Sequence, residues 1–305
     1  MSFRWKLADD GEPALFSPDE LLLPDLGTGR MSDLEFLHVT ARKIINRVPP
    51  GSRASFDHTI NVYRGCSHAC LYCFARPTHE YLGLNTGTDF DRKIVVKINA
   101  VERVIAELDD PAWTGEPIAM GTNTDPYQRA EAKYRLTRGV VAALAQRGNP
   151  FSILTKSPLV TRDLDLIAAA AERTEVSVNF SIGTLDERVW RATEPGTPQP
   201  RHRLDAMAKL SAAGIRTGAL MMPILPGMSD GADQLQATVA AIDQAGGRLL
   251  GIGPLHLRPG LRGHFLDWLA KADPELHADY LRRYDGRAYA PKHYTDELYR
   301  RAGLA

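Results

Sequence analysis

The chain of 305 residues has room for one large α/β domain or two ordinary ones, and 44% hydrophobic with 24% charged residues is a globular composition that excludes disorder as the default. Thirty-seven basic residues balance thirty-seven acidic ones, which excludes a global field drawing the protein to nucleic acid or an anionic membrane; nucleic acid is a partner that charge does not indicate, although a local basic patch would admit it. Segment 1–10 lacks the apolar stretch of a signal peptide, and neither Leu21-Leu22-Leu23 nor 218–225 approaches the roughly 20 residues of a membrane span, so a soluble, cytoplasmic protein is expected.

Residues 1–55 carry Pro13, Pro18, Pro24, Pro49 and Pro50, with helical periodicity only over about 33–47, and read as an N-terminal extension packed on a core. From Thr59 onward short β-rich runs alternate with helical segments, the pattern of repeated βαβ units around a parallel sheet. Strands are expected at 59–64, 118–122, 151–156, 176–182, 216–222 and 249–257. The long stretch between the first two holds a loop, a helix, an extended run over 93–97 and a helix near 98–109. Further along, Thr137 precedes Val140, Val141 and Leu144 in a helix stopped by Gly148, and Leu204, Met207, Ala208 and Leu210 form one stopped by Gly214. Asp230 is positioned to cap a helix carrying Leu235, Val239 and Ile242. Beyond His256 come Arg258-Pro259-Gly260, a helix containing Trp268, and helices near 274–284 and 294–303. The expected organisation is an extension (1–55), a barrel-like core (56–260) and a helical C-terminal cap (261–305).

All three cysteines fall in Tyr63-Arg64-Gly65-Cys66-Ser67-His68-Ala69-Cys70-Leu71-Tyr72-Cys73-Phe74. An odd, tightly spaced set cannot form an even disulfide framework and points to metal or redox chemistry. Cys66, Cys70 and Cys73 can all face one small inorganic cluster. A 4Fe-4S cube normally takes four protein thiolates, so three would leave one iron able to accept a small-molecule ligand. Gly65 suits a tight turn at the start of the loop. A zinc site that adds His68, and a Cys70–Cys73 redox disulfide that leaves Cys66 without a role, are the competing readings.

The spacing Cys-x-x-x-Cys-x-x-Cys directly after a first strand resembles the radical S-adenosylmethionine (SAM) superfamily. The flanks 59–83, Gly121-Thr122-Asn123-Thr124-Asp125-Pro126-Tyr127-Gln128, Leu154-Thr155-Lys156-Ser157 and Glu194-Pro195 are similar to its spore photoproduct lyase-like branch, specifically bacterial members of unassigned reaction, over roughly 40–260. The resemblance implies an α/β fold, a partial (β/α)6 barrel. It also implies an enzyme whose open iron holds the amino and carboxylate groups of SAM. The reduced 4Fe-4S cluster would cleave SAM to a 5'-deoxyadenosyl radical that takes hydrogen from substrate. A reductant such as flavodoxin or ferredoxin is the implied partner, and Tyr72, just before the third cysteine, would lie against the adenine.

Polar groups sit where the other strands should end: Asn123, Thr124 and Asp125, then Thr155 and Lys156, then Asn179 and Ser181. Lys156 is a candidate partner for the SAM carboxylate, and Ser181 and Asn123 for its amino or ribose groups. Asp125 before Pro126 also makes a good turn starter. Glu194, near Arg201 and Arg203, would orient SAM or substrate or form a surface ion pair. His256 and Arg258 end the sixth strand beside a substrate position. His79 and Tyr81 read as packing residues after the cysteine loop. The substrate and any catalytic side chain are not assigned. Two other functions compete: a non-catalytic iron-sulfur electron carrier, and DNA photoproduct repair. In the resemblance, the repair enzyme uses a further cysteine on its second barrel strand, whereas this strand reads Ile118-Ala119-Met120-Gly121-Thr122.

Overall fold

Short segments rich in valine, isoleucine and phenylalanine, most of them followed by a helix, build the molecule in a computed structural model that describes residues 25–49, 51–52 and 54–304. The part of the expected extension before Asp25 lies outside the described residues. The strands are β1 Asp25–Leu26, β2 Glu35–Val39, β3 Ile45–Arg47, β4 His58–Ile60, β5 Tyr63–Arg64, β6 Lys93–Lys97, β7 Ile118–Met120, β8 Phe151–Thr155, β9 Val176–Ser181, β10 Arg216–Ile224 and β11 Arg248–Pro254.

The main sheet runs β11-β10-β9-β8-β7-β4-β3, with β4 and β7 to β11 parallel and β3 antiparallel on the edge. Helices Leu136–Arg147, Leu164–Ala171, Pro200–Ala212 and Ala232–Gln244 connect successive strands from β7 to β11. This is a partial (β/α)6 barrel in simple strand order. Alternation sorts its faces: along β9 Val176, Val178 and Phe180 belong to the hydrophobic core, while Ser181 and the residues of its parity look the other way. A smaller sheet, β1-β2-β6-β5, lies beside the barrel, with β2 parallel and β5 antiparallel to β6.

Three sequence expectations are corrected. The stretch 33–47 forms β2 and β3 instead of a helix. Its apolar residues pass for a helical stripe, but Phe36, Leu37 and Val39 are buried by pairing of β2 with β6, and pairing outweighs periodicity in a run this short. The expected strand 59–64 breaks at Asn61: β4 joins the barrel and β5 joins the small sheet. Asp230 does not cap the helix Ala232–Gln244, whose N-cap is Gly231; its carboxylate accepts from the Gly227 N–H (2.8 Å) and the Tyr294 hydroxyl (2.7 Å).

The C-terminal helices Arg262–Ala272, Pro274–Tyr284 and Lys292–Arg301 form where expected. Phe265, Tyr280 and Tyr284 belong to one apolar cluster with Leu225, Leu255, Cys70 and Tyr72, so this part of the chain shares a core with the cysteine loop. Among the described residues no helix is long and apolar enough to cross a membrane.

Candidate active site at the barrel mouth

The cysteine loop leaves β5 through Gly65, whose φ of +80° is a left-handed conformation that L side chains rarely adopt; a Cβ there would also meet the His79 ring at 2.8 Å. From that turn the loop is held by buried hydrogen bonds on three sides. The Cys66 N–H donates to the Phe90 carbonyl (3.0 Å) and the Ser67 N–H to the Gln128 side chain (2.9 Å). Gln128 in turn donates to the Gly65 carbonyl (3.0 Å) and to Thr124 Oγ1 (2.8 Å). Arg76, fully buried, donates from Nε and Nη2 to the Cys70 carbonyl (3.1 and 2.9 Å), from Nη1 to the Thr86 carbonyl (2.9 Å), and pairs with Asp91 at 2.8 Å.

On the third side the segment after the helix Glu187–Thr193 lies directly on the loop. The Leu71 N–H donates to the Thr193 carbonyl (2.9 Å) and the Gly196 N–H to the His68 carbonyl (3.0 Å). Any side chain at 196 would put its Cβ 2.2 Å from the Ser67 carbonyl oxygen, so glycine there sets how closely the two segments approach.

The three thiols are free, and all line one cavity of about 400 Å³ at the carboxyl ends of the barrel strands. Burial pushes the Cys73 thiol up to about 11 and the Cys70 thiol well above its ordinary range. These are groups that burial keeps neutral until a cation or cluster draws out the thiolate. Among the described residues, no three His, Cys, Asp or Glu side chains gather closely enough for a single metal ion. His68 turns its Nδ1 toward Asp125 at 3.3 Å, an ion-pair contact more than an aligned hydrogen bond. Burial opposes charge on His68, but Asp125 and the Cys66 sulfur outweigh it and raise the imidazole to about 10.

Beside the thiols stands a buried charged corner. Glu194 accepts from the Tyr72 hydroxyl, from Arg203 and from Thr197 Oγ1 (3.1 Å), and lies 3.2 Å from Lys156 Nζ. Burial works against its charge, but Arg203 and then Lys156 hold the carboxyl well below its usual range. Arg203, with no exposed surface, is fixed further by the Ser181 and Pro198 carbonyls (2.9 and 3.0 Å), whereas Arg201 faces solvent. Lys156 Nζ donates to Ser181 Oγ (2.6 Å) and sits 5.5 Å from the Tyr72 ring centroid. Asp125 reaches the same corner from β7. Its oxygens accept from the Thr155 hydroxyl (2.7 Å), the Lys156 N–H (2.7 Å) and the Tyr127 N–H (2.8 Å), so it starts the turn and also ties β7 to β8.

Tyr72, Asn123, Lys156 and Ser181 therefore line the same cavity as the cysteines, Asn123 at its exposed edge with its N–H on the Asn61 side chain (3.1 Å). His256 and Arg258 lie on the rim, His256 edge-on to Tyr289 with ring centroids 4.6 Å apart. Asn179 is not brought to the cavity and donates to Ser177 Oγ (3.3 Å). His79 is buried against Phe90, while Tyr81, expected to pack, is 76% exposed. Sequence reasoning missed Arg76 and the apolar wall made by Leu220, Met222, Pro223, Pro254 and Leu255. An arginine just after the motif carries no spacing signal, whereas the wall was legible as the ends of β10 and β11.

Residues 60–239, more than half the chain, match the family model described as the Radical SAM superfamily. An uncharacterized protein of Mycobacterium tuberculosis is 45% identical over 265 residues, covering 87% of this chain and 78% of that one. Another from Methanocaldococcus jannaschii is 30% identical over 200 residues, 65% of this chain and 71% of that one. Among solved structures, spore photoproduct lyase complexed with dinucleoside spore photoproduct superimposes with a TM-score of 0.57 at 17% identity. That match covers 79% of this chain and 66% of the lyase, so the chain spans just under two thirds of that enzyme's length, and the likeness is one of fold. The thiol loop at the mouth of a six-stranded partial barrel and the match across the barrel lead to one conclusion: the chain belongs to the radical SAM superfamily and is a radical SAM enzyme.

Proposed function

We propose that Cys66, Cys70 and Cys73 hold a 4Fe-4S cluster with one open iron, and that the adjoining cavity binds SAM for reductive cleavage and hydrogen abstraction from a substrate. The observation that carries this reading is the convergence of three free thiols, Tyr72 and Lys156 on one cavity, with Glu194 contacting both Tyr72 and Lys156. The thiol set fits the group: three free thiols line one cavity, and a cube carries its thiolates on separate irons. Held there by Cys66, Cys70 and Cys73, such a cluster would supply, once reduced, the electron for reductive cleavage of the SAM sulfonium.

The chain's own groups bind and orient. Lys156 has three donors, of which Ser181 and Glu194 occupy two directions, leaving the third for the SAM carboxylate. Tyr72, with its hydroxyl fixed on Glu194, presents a ring face to the adenine. Asn123 and Ser181 offer hydrogen bonds to ribose or amino groups, and Leu220, Met222 and Leu255 limit water around a reactive centre. A reducing compartment, the cytoplasm, and a small electron-transfer protein such as flavodoxin or ferredoxin as donor complete the proposal.

Anaerobic reconstitution tests it. About four irons and four sulfides per chain are expected, with 5'-deoxyadenosine released on reduction in the presence of SAM. Cys66→Ala, Cys70→Ala and Cys73→Ala should each abolish both, because every cysteine of the chain is already in the loop. Stoichiometric zinc without sulfide would refute the assignment. Thymine restoration from a dinucleotide spore photoproduct is not expected, since β7 and the residues after it, Ile118-Ala119-Met120-Gly121-Thr122, offer no thiol to return a hydrogen atom. Multiple-turnover restoration, read by mass spectrometry, would overturn that argument.

A further inference from the structure

One arginine is tied to all three cysteines. The Arg76 N–H donates to the Cys73 carbonyl (3.3 Å), and its guanidinium donates from Nε and Nη2 to the Cys70 carbonyl. That guanidinium also lies over the Phe90 ring, 5.2 Å from the centroid, and the Phe90 carbonyl accepts the Cys66 N–H. Nη1 donates to the Thr86 and Gly87 carbonyls (2.9 and 3.1 Å) and Nη2 to Asp91 (2.8 Å), so every N–H of the fork has an acceptor. Resting on the cluster reading of the cysteine loop, we propose that Arg76 positions this loop and that the Arg76–Asp91 pair tunes the cluster it would hold, the guanidinium raising its reduction potential and the carboxylate lowering it.

The physical case lies in how the pair is placed. An electron from the donor protein makes the cluster and its thiolates one unit more negative, and a nearby cation stabilises that state more than the oxidised one. Arg76 stays protonated at any working pH and has no exposed surface, so its charge is fixed and little screened by water. Asp91 is its partner, and the side chain of that aspartate is 20% exposed, which screens the carboxylate more than the guanidinium. Nη2 bonds both the Cys70 carbonyl and the Asp91 carboxylate, so the cation is the member of the pair bonded to the loop, and the pair presents its positive end there. The hydrogen bonds contribute separately. Arg76 holds the Cys70 and Cys73 carbonyls and Phe90 holds the Cys66 N–H, which fixes the backbone of each ligand residue, as outer groups around a metal centre orient its ligands. A lysine at this position would keep the charge and lose the fork.

The test is a redox titration of anaerobically reconstituted protein without SAM, followed by the electron paramagnetic resonance of the reduced cluster, with iron and sulfide measured on the same samples. Arg76→Gln should disfavour reduction about tenfold, a potential lower by about 59 mV for one electron, and Asp91→Asn should favour it about threefold. Opposite shifts from the two halves of one pair are the signature of charge, because a loosened loop would act alike in both. Arg76→Lys should keep the potential within about threefold of wild type while retaining less iron, since it preserves the charge without the fork. Shifts of one sign in Arg76→Gln and Asp91→Asn, no shift in either, or an Arg76→Lys potential as low as that of Arg76→Gln overturns the proposal. If Arg76→Gln retains no cluster, the rise in Asp91→Asn decides alone, and its absence overturns the proposal. Wild-type protein that takes up zinc without sulfide defeats the cluster reading and the tuning with it, whereas failure on an assembled cluster defeats the tuning alone.

Discussion

The two walls of the cavity beside the cysteine loop come from different parts of the barrel and work by different chemistry. The wall from the ends of β7, β8 and β9 is polar and internally bonded: Asp125, Lys156 and Ser181 line it and are tied together, and to Glu194 and Arg203, before any ligand arrives. The wall from β10 and β11 presents Leu220, Met222, Pro223, Pro254 and Leu255, and Met222 is 41% exposed. A bonded polar wall has one arrangement and can impose one orientation on a ligand. An apolar wall with a flexible methionine excludes water and admits more than one shape. Under the proposed function the first wall would hold the cosubstrate and the second would tolerate different substrates, a division that can be broken by mutating each wall in turn.

The largest effect belongs to Glu194→Ala, which leaves buried Arg203 and partly buried Lys156 without their carboxylate; unfolding should lose about 3–5 kcal/mol in urea titrations of the apo protein. A loss near zero would mean that the polar wall is not held together as described. The same group predicts a pH dependence. Its folded-state pKa lies well below the ordinary 4.5, so its stabilisation is present above about pH 4.5 and is lost as pH falls toward the folded value. Wild-type stability should therefore fall more steeply below pH 4.5 than that of Glu194→Gln.

Gly196→Ala comes next, at about 1–3 kcal/mol, because its Cβ would stand 2.2 Å from a backbone oxygen that cannot rotate away. Lower iron retention after reconstitution should accompany the loss, since Gly196 docks on the cysteine loop; normal retention would separate the loop from this wall. Lys156→Ala should leave iron and sulfide content intact and weaken SAM about tenfold, by titration of the cluster's electron paramagnetic resonance signal. Unchanged affinity would remove Lys156 from the SAM site.

The polar wall was partly legible in the sequence because its residues end strands of recognisable period: Lys156 and Ser181 follow apolar runs whose bounds the structure moves by only a residue or two at most. The partner of Glu194 was not legible. Arg201 and Arg203 differ by two positions near the start of one helix, and only packing of Pro200–Ala212 decides that Arg203 is inside. Arg76 was missed for the same reason, its value lying in carbonyls of the loop it closes. β2 and β3 were hidden because segments of five and three residues buried by pairing leave no period to read. The split at Asn61 depends on contacts with Thr122 and Asn123, some 60 residues away.

The smallest effect should come from Met222→Ala, and its smallness is what gives the contrast content. Met222 is partly exposed, and its side chain lies near Gly251 and Gly253 of the adjacent strand, so truncation removes contacts without opening an enclosed void. Stability should change by less than about 1 kcal/mol, within the range of substitutions away from the core. SAM affinity should stay within about twofold of wild type, because the groups proposed to hold SAM lie on the other wall. With any substrate analogue that supports turnover, Met222→Ala should raise KM more than it lowers kcat, the signature of lost uniform binding. A tenfold loss of SAM affinity in Met222→Ala would show that SAM rests on the apolar wall, and the division between the two walls would then fail.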